Sequence, residues 1–159
     1  MDQLDNQPPA PPSAGPSSVD RCELFADRMN GFLARYRDNV WVTGDVSIRD
    51  TDLTFYVGTR PWNQGLGAEA KVLFFLAYSY ATLFLERDLD QECAFPGLLL
   101  LDNPYQQGIN PAVVRRVLED LATAARDTGT QVISTQALQP PRNPATIRQI
   151  EMPNVYAAP

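Results

Sequence analysis

Few side chains in this 159-residue sequence can do chemistry. There is no histidine, so the chain has no imidazole base and no His-based triad. The two cysteines, Cys22 and Cys93, lack the CxxC spacing of a zinc or redox pair. The only lysine is Lys71. The residue of most interest is Asp102. It follows four leucines, Leu98 to Leu101, and precedes Asn103-Pro104. That apolar run predicts a strand buried on both faces, in the middle of a largely parallel sheet covered by helices. An aspartate at the strand's carboxyl end stands where open α/β sheets bind ligands, and it could hold a Mg²⁺ directly or through water. The plainer alternative is a core strand that stops in an Asp-Asn-Pro turn.

The bulk properties narrow the classes. A hydrophobic content of 44% and a charged content of 20% describe an ordinary globular domain, long enough for a real core. A net charge of −6 argues against a free-standing nucleic-acid binder, whose affinity comes mainly from Lys and Arg on phosphates. It leaves open a domain that meets DNA only through an assembly. The longest apolar run, Val72 to Leu85, is interrupted by Tyr78, Ser79, Tyr80 and Thr82. It falls short of the roughly 20 residues that span a bilayer. With no signal-peptide pattern and two thiols, a cytoplasmic protein without a membrane segment is expected.

The elements that must position Asp102 can be read in order. Residues 1–17 are rich in Pro, Ser, Ala and Gly and predict a disordered tail. A helix is expected from Val19 to Arg37, with Ser17 and Asp20 at its start and a stripe of Cys22, Phe25, Met29, Phe32 or Leu33, and Tyr36. Val40, Val42, Val46 and Ile48 alternate, and an Arg49–Asp52 turn leads to Leu53–Val57, which reads as a hairpin. Gly58 to Gly67 reads as a loop in which Trp62 caps an apolar edge or meets a ligand or partner. Ala68 to Arg87 predicts a long helix, apolar nearly all round and so buried in a core or an interface. The glycines before it leave free N–H groups that could face an anion. Arg87 to Glu92 reads as an exposed acidic linker. After the Leu98–Asp102 strand, Asn110-Pro111 opens a helix that Gly129 closes, with Val114, Val117, Leu118, Leu121 and Ala125 as its stripe. Gln131 to Thr135 is the next strand, completing a βαβ unit. Ala145 to Met152 reads as a last edge strand, and 153–159 as a loose tail.

This order resembles the C-terminal lobe of SMC-like and RecF-like ABC-type ATPases, over about Asp20 to Met152. In that family the motif Leu-Ser-Gly-Gly-Glu-Lys opens the long helix; here the matching residues are Leu66-Gly67-Ala68-Glu69-Ala70-Lys71. The lysine matches. Gly67 stands where the family has the serine that contacts the γ-phosphate held by the opposite protomer. Ala68 and Glu69 replace its two glycines. Leu98 to Asp102 look like the Walker B strand, with Asp102 on the Mg²⁺ side. The family's catalytic glutamate is Asn103 here, and an amide cannot take a proton from water. Asn103 or Gln106 could still orient a water. Asn110 falls where the segment leading to the D-loop usually has an aspartate. Ser134-Thr135-Gln136 resemble the switch segment, and Gln136 could hydrogen-bond a phosphate without charge.

No Gly-Lys-Ser/Thr phosphate loop exists in the chain, because Lys71 lies between Ala70 and Val72. The resemblance therefore implies an α/β fold, a partial P-loop NTPase head spanning 18–152, with a mainly parallel sheet, flanking helices and an N-terminal hairpin. It implies an incomplete ATPase that supplies the Walker B and signature side of a composite site for ATP and Mg²⁺. A Walker A-bearing subunit or a homo-oligomer would complete it, in DNA repair, chromosome maintenance or defence. Leu66, Gly67, Ala68, Lys71 and Asn110 would border the nucleotide. Asn103, Gln106 and Gln136 would stand at the reacting end, and Asp102 at the metal. The alternative is a non-catalytic interaction module that keeps the fold, and a split or truncated reading frame is a third. An isolated lobe should also leave a hydrophobic face uncovered, most of all on the helix from Ala68.

Overall fold

The computed structural model describes residues 17–36, 44–89, 95–105 and 108–135. Val40, Val42, Cys93, Gln106, Gln136, the expected strand at Ala145–Met152 and both tails lie outside the described residues.

Helix α1, Ser18–Leu33, starts at a capping box: the Asp20 backbone N–H donates to Ser17 Oγ and the Ser17 N–H donates back to the Asp20 carboxylate. Its buried side is Cys22, Ala26, Met29, Phe32 and Leu33. Three short antiparallel strands follow: β1, Val46–Arg49; β2, Thr54–Val57; β3, Arg60–Pro61. Asn30 ties α1 to them. Its side-chain amide donates to the Val46 carbonyl at 2.9 Å and accepts from the Val46 N–H at 2.7 Å. It thus satisfies both backbone groups of Val46, as a neighbouring strand would. Leu53, at the end of the β1–β2 turn, takes a positive φ of 54°.

The segment expected as a loop between Gly58 and Gly67 holds β3 and a four-residue helix, α2, Trp62–Gly65. Trp62 stacks on Phe74 with ring centroids 5.2 Å apart and meets Phe75 edge-on. Trp62 thus packs partly buried against the core, as a cap on an apolar edge does.

Helix α3, Ala68–Leu83, packs against α1 and buries Leu73, Phe74, Leu76, Ala77, Tyr80, Ala81 and Leu83. It is shorter than the sequence suggests. Phe84 caps it, and a separate short helix, α4, Leu85–Leu89, follows. This corrects the first part of the expected acidic linker, Arg87 to Leu89, because Asp88 turns inward and binds the Arg28 guanidinium through both oxygens; the rest of it lies outside the described residues.

Strand β4, Leu98–Asp102, helix α5, Pro111–Thr128, and strand β5, Gln131–Thr135, form the expected βαβ unit. β4 and β5 pair in parallel, Leu98 opposite Gln131 through Asp102 opposite Thr135. The Asn110 side chain caps α5, and Gly129, at φ 68°, ends it in the left-handed conformation. Leu99, Leu101 and Val132 face the core that α5 covers.

The other face of this sheet corrects the expectation of a strand buried on both sides. Leu100 is 66% exposed, Ile133 44% and Leu98 37%. Among the described residues the parallel sheet has only these two strands, with no layer over its outer face. The fold is thus α/β, but with a two-stranded parallel sheet and a separate three-stranded antiparallel one. No helix of the described residues is long and apolar enough to cross a membrane.

Candidate functional site at the carboxyl ends of the parallel strands

Register builds the site. Because β4 and β5 are parallel and in step, their polar last residues, Asp102 and Thr135, arrive side by side. The Thr135 hydroxyl donates to Asp102 Oδ1 at 2.5 Å. The Asn103 backbone N–H donates to the Thr135 carbonyl and to Thr135 Oγ1, both at 3.1 Å. Asn103 takes a positive φ of 41°, a conformation that Asn tolerates better than most side chains. The chain therefore turns sharply away from the sheet just after the carboxylate.

Across from this cluster lies α3. Between them is an open groove of about 610 Å³, lined by Ala68, Lys71, Val72 and Phe75 on one side and by Leu100 to Pro104 on the other. Lys71 and Asp102 are its two charged lining residues. The structure thus gathers four of the sequence-predicted residues, Ala68, Lys71, Asp102 and Asn103, into one space.

Other expected residues are placed differently. Leu66 is buried in the hydrophobic core just before α3 and does not line the groove. Gly67 is the N-cap of α3, and its side chain position has no neighbour within 4 Å. The α3 N–H groups there have no side-chain cap, but Glu69 adds a negative charge in the first turn. That charge offsets the positive helix end and opposes an anion. Asn110 uses its side-chain oxygen to accept from the Ala112 N–H at 2.9 Å. It does not line the groove.

The sequence points to Thr135 only as part of Ser134-Thr135-Gln136, and not as the partner of Asp102. The signal for it was positional: two strands of equal length, each ending in a polar residue, in a βαβ unit. Two hydroxyls nearby, of Tyr105 and Ser134, are buried without a hydrogen-bond partner among the described residues. Burial raises the Tyr105 hydroxyl above the usual phenol value, and the Arg115 charge pulls it part of the way back.

The donor set decides what could bind. The described residues contain no group of three or more His, Cys, Asp or Glu side chains able to cage a metal. One carboxylate with a hydroxyl beside it suits Mg²⁺, which keeps several waters and takes its other ligands from phosphates. No carboxylate or imidazole among the groove's lining residues accompanies Asp102 as a base. The chain matches no protein-family model, no curated protein and no solved structure.

Proposed function

We infer that this chain is the C-terminal lobe of a divided ATPase head, of the SMC-like type. It would offer the Walker B and signature side of a composite ATP site in the cytoplasm. The observation that carries this reading is the pairing of Asp102 with Thr135 at the ends of neighbouring parallel strands, opposite Lys71 across an open groove. Asp102, aligned by the Thr135 hydroxyl, would hold a Mg²⁺ that arrives with the nucleotide. The ion would supply neutralisation of phosphate charge. Lys71 adds a mobile positive charge on the facing wall. Asn103 can orient a water but cannot accept its proton, so this lobe binds better than it hydrolyses. A second polypeptide would bring the phosphate loop that this chain lacks, and any DNA would be met through that assembly.

The test starts in the native host. Tagged chain should copurify with a polypeptide carrying Gly-Lys-Ser/Thr, and the complex should bind ATP in a Mg²⁺-dependent way by calorimetry. Asp102→Ala should abolish the Mg²⁺ dependence. Thr135→Val should weaken binding about 10- to 100-fold, as loss of a ligand-orienting partner does. A partnerless, monodisperse chain in its own host would sink the reading.

The second reading is a non-catalytic docking module. What favours it is Asn103 in the position where a base is needed, with the Asn110 side chain committed to a helix cap. It survives if the complex forms and Asp102→Ala changes neither nucleotide binding nor hydrolysis.

A further inference from the structure

The carboxamide that ties α1 to β1 is also a reactive group. Asn30 is followed by Gly31, and this is the one Asn-Gly pair in the sequence. In such a pair the glycine nitrogen can attack the asparagine side-chain carbonyl, because no Cβ hinders the approach. A bond forms from Gly31 N to Asn30 Cγ and the Cγ–Nδ2 bond breaks. The Gly31 N–H proton goes to solvent, and the departing nitrogen takes one up and leaves as ammonia. Water then opens the five-membered imide at either carbonyl. The products are aspartate, and isoaspartate with an extra carbon in the main chain. Solvent is the only co-reactant.

The fold holds this chemistry back. Asn30 and Gly31 lie in the last turn of α1. There the Gly31 N–H is committed to the preceding turn, and helical backbone angles keep its nitrogen out of line with Asn30 Cγ. The Asn30 carbonyl accepts from the Ala34 N–H at 2.9 Å, which fixes the same peptide from the other side. The side chain is pinned by its donor bond to the Val46 carbonyl, 2.9 Å, and its acceptor bond from the Val46 N–H, 2.7 Å. Cyclisation breaks both. Gly31 itself does no packing among the described residues: it is exposed, and a Cβ there would meet nothing within 4 Å. Its φ is not left-handed either, so alanine would suit the helix better.

The product cannot replace the reactant. An ionised carboxylate accepts hydrogen bonds and donates none. In place of the Asn30 amide it would set an oxygen against the Val46 carbonyl, where Nδ2 now donates. A partly buried acceptor left facing another acceptor costs more than the bond it lost. Isoaspartate does further harm, because its added carbon breaks the helical repeat.

We propose that Asn30-Gly31 is a modification site guarded by the fold. It is inert while α1 stays docked on β1 and reacts when that junction opens. The reacted chain closes the junction less well, so each such event is a one-way loss from the folded population. Neither nucleotide nor partner enters this chemistry, and it stands or falls separately from the function proposed above.

The test uses the full chain at mildly alkaline pH, folded in buffer or unfolded in guanidinium chloride. The tryptic peptide Met29–Arg35 is weighed at intervals for the mass change of an amide becoming an acid. The change should be faster in the unfolded chain by a factor on the order of ten or more, since the folded chain reacts only through its open state. Gly31→Ala should slow the unfolded-chain reaction about tenfold, through the Cβ it adds. Asn30→Asp should unfold at a lower urea concentration than the wild type, and Gly31→Ala at an equal or higher one. Equal rates in the folded and unfolded chain would overturn the proposal. So would an Asn30→Asp chain with the wild-type urea midpoint.

Discussion

Asp120 shows how a single partly exposed carboxylate can organise the contacts around a buried tyrosine. It accepts from the Tyr36 hydroxyl at 2.8 Å and from Arg35 at 2.6 Å, while Arg35 also donates to Tyr80 at 2.9 Å. Tyr36 is 1% exposed. Burial, then the hydrogen bond and charge of Asp120, push its hydroxyl far above the usual phenol value, against the pull of Arg35 and Arg116. An unfolded tyrosine ionises near pH 10. Above about that pH the unfolded chain releases a proton that the folded chain keeps, so stability present below it is lost as pH rises. The loss should approach about 1.4 kcal/mol per pH unit, and Tyr36→Phe should flatten it. Urea unfolding at mildly and strongly alkaline pH measures both. At Gly67 the sign is opposite. Nothing within 4 Å obstructs a side chain, and the backbone is extended at φ −67° and ψ 172°, as an N-cap requires. Gly67→Ser should stabilise the fold by a few tenths of a kcal/mol, read as a higher urea midpoint.

At the scale of elements, the tie between α1 and α4 is the feature that sequence patterns could not give. Arg28 and Asp88 are sixty residues apart and form a two-pronged pair. Phe84 lies between two guanidinium groups, Arg28 at 4.6 Å and Arg87 at 4.5 Å from its ring centre. Because the Arg28 side chain is more than a third exposed, solvent weakens the pair, and Asp88→Ala should cost only about 1 kcal/mol. Thermal melts of the single and double variants would separate the pair from the helix. Over its described part, Arg87 to Leu89, the expected linker differs for this reason: its charges looked solvated until a partner on another helix was known. Three helix ends were legible because their signals are local, whereas the carboxyl ends of α1 and α3, which carry no such signal, fall earlier than expected. Ser17 with Asp20, Asn110 with Pro111, and Gly129 each act within a turn of the boundary they set. The stripe of α5 was legible too, since Val114, Val117, Leu118, Leu121 and Ala125 are all buried. The Asp102–Thr135 contact was not, because it depends on strand register. The faces of β4 were misread because four leucines in a row say nothing of what covers them.

For the whole molecule, the core and the exposed face tell different stories. Met29, Phe32, Leu33, Leu73, Val114, Val117 and Leu121 are fully buried where α1, α3 and α5 meet. Leu73→Ala should cost about 2–5 kcal/mol by leaving a cavity, measurable by urea unfolding. On the other side Phe75, Tyr78, Leu98, Leu100 and Ile133 are exposed together on α3 and on the outer face of the parallel sheet. The chain alone should therefore bind a hydrophobic dye, and Leu100→Lys should reduce the signal without lowering the melting temperature. A dye-silent wild-type chain would mean that this face is covered within the chain itself.

The run Leu98–Leu101 has a further consequence. It carries no charge and no proline, and it sits on a strand whose outer edge has no partner among the described residues. Such strands zip onto copies of themselves or onto other chains. For a cell this makes expression level a hazard: the soluble fraction of this chain should fall as its concentration rises, and a charge placed on that strand should restore it.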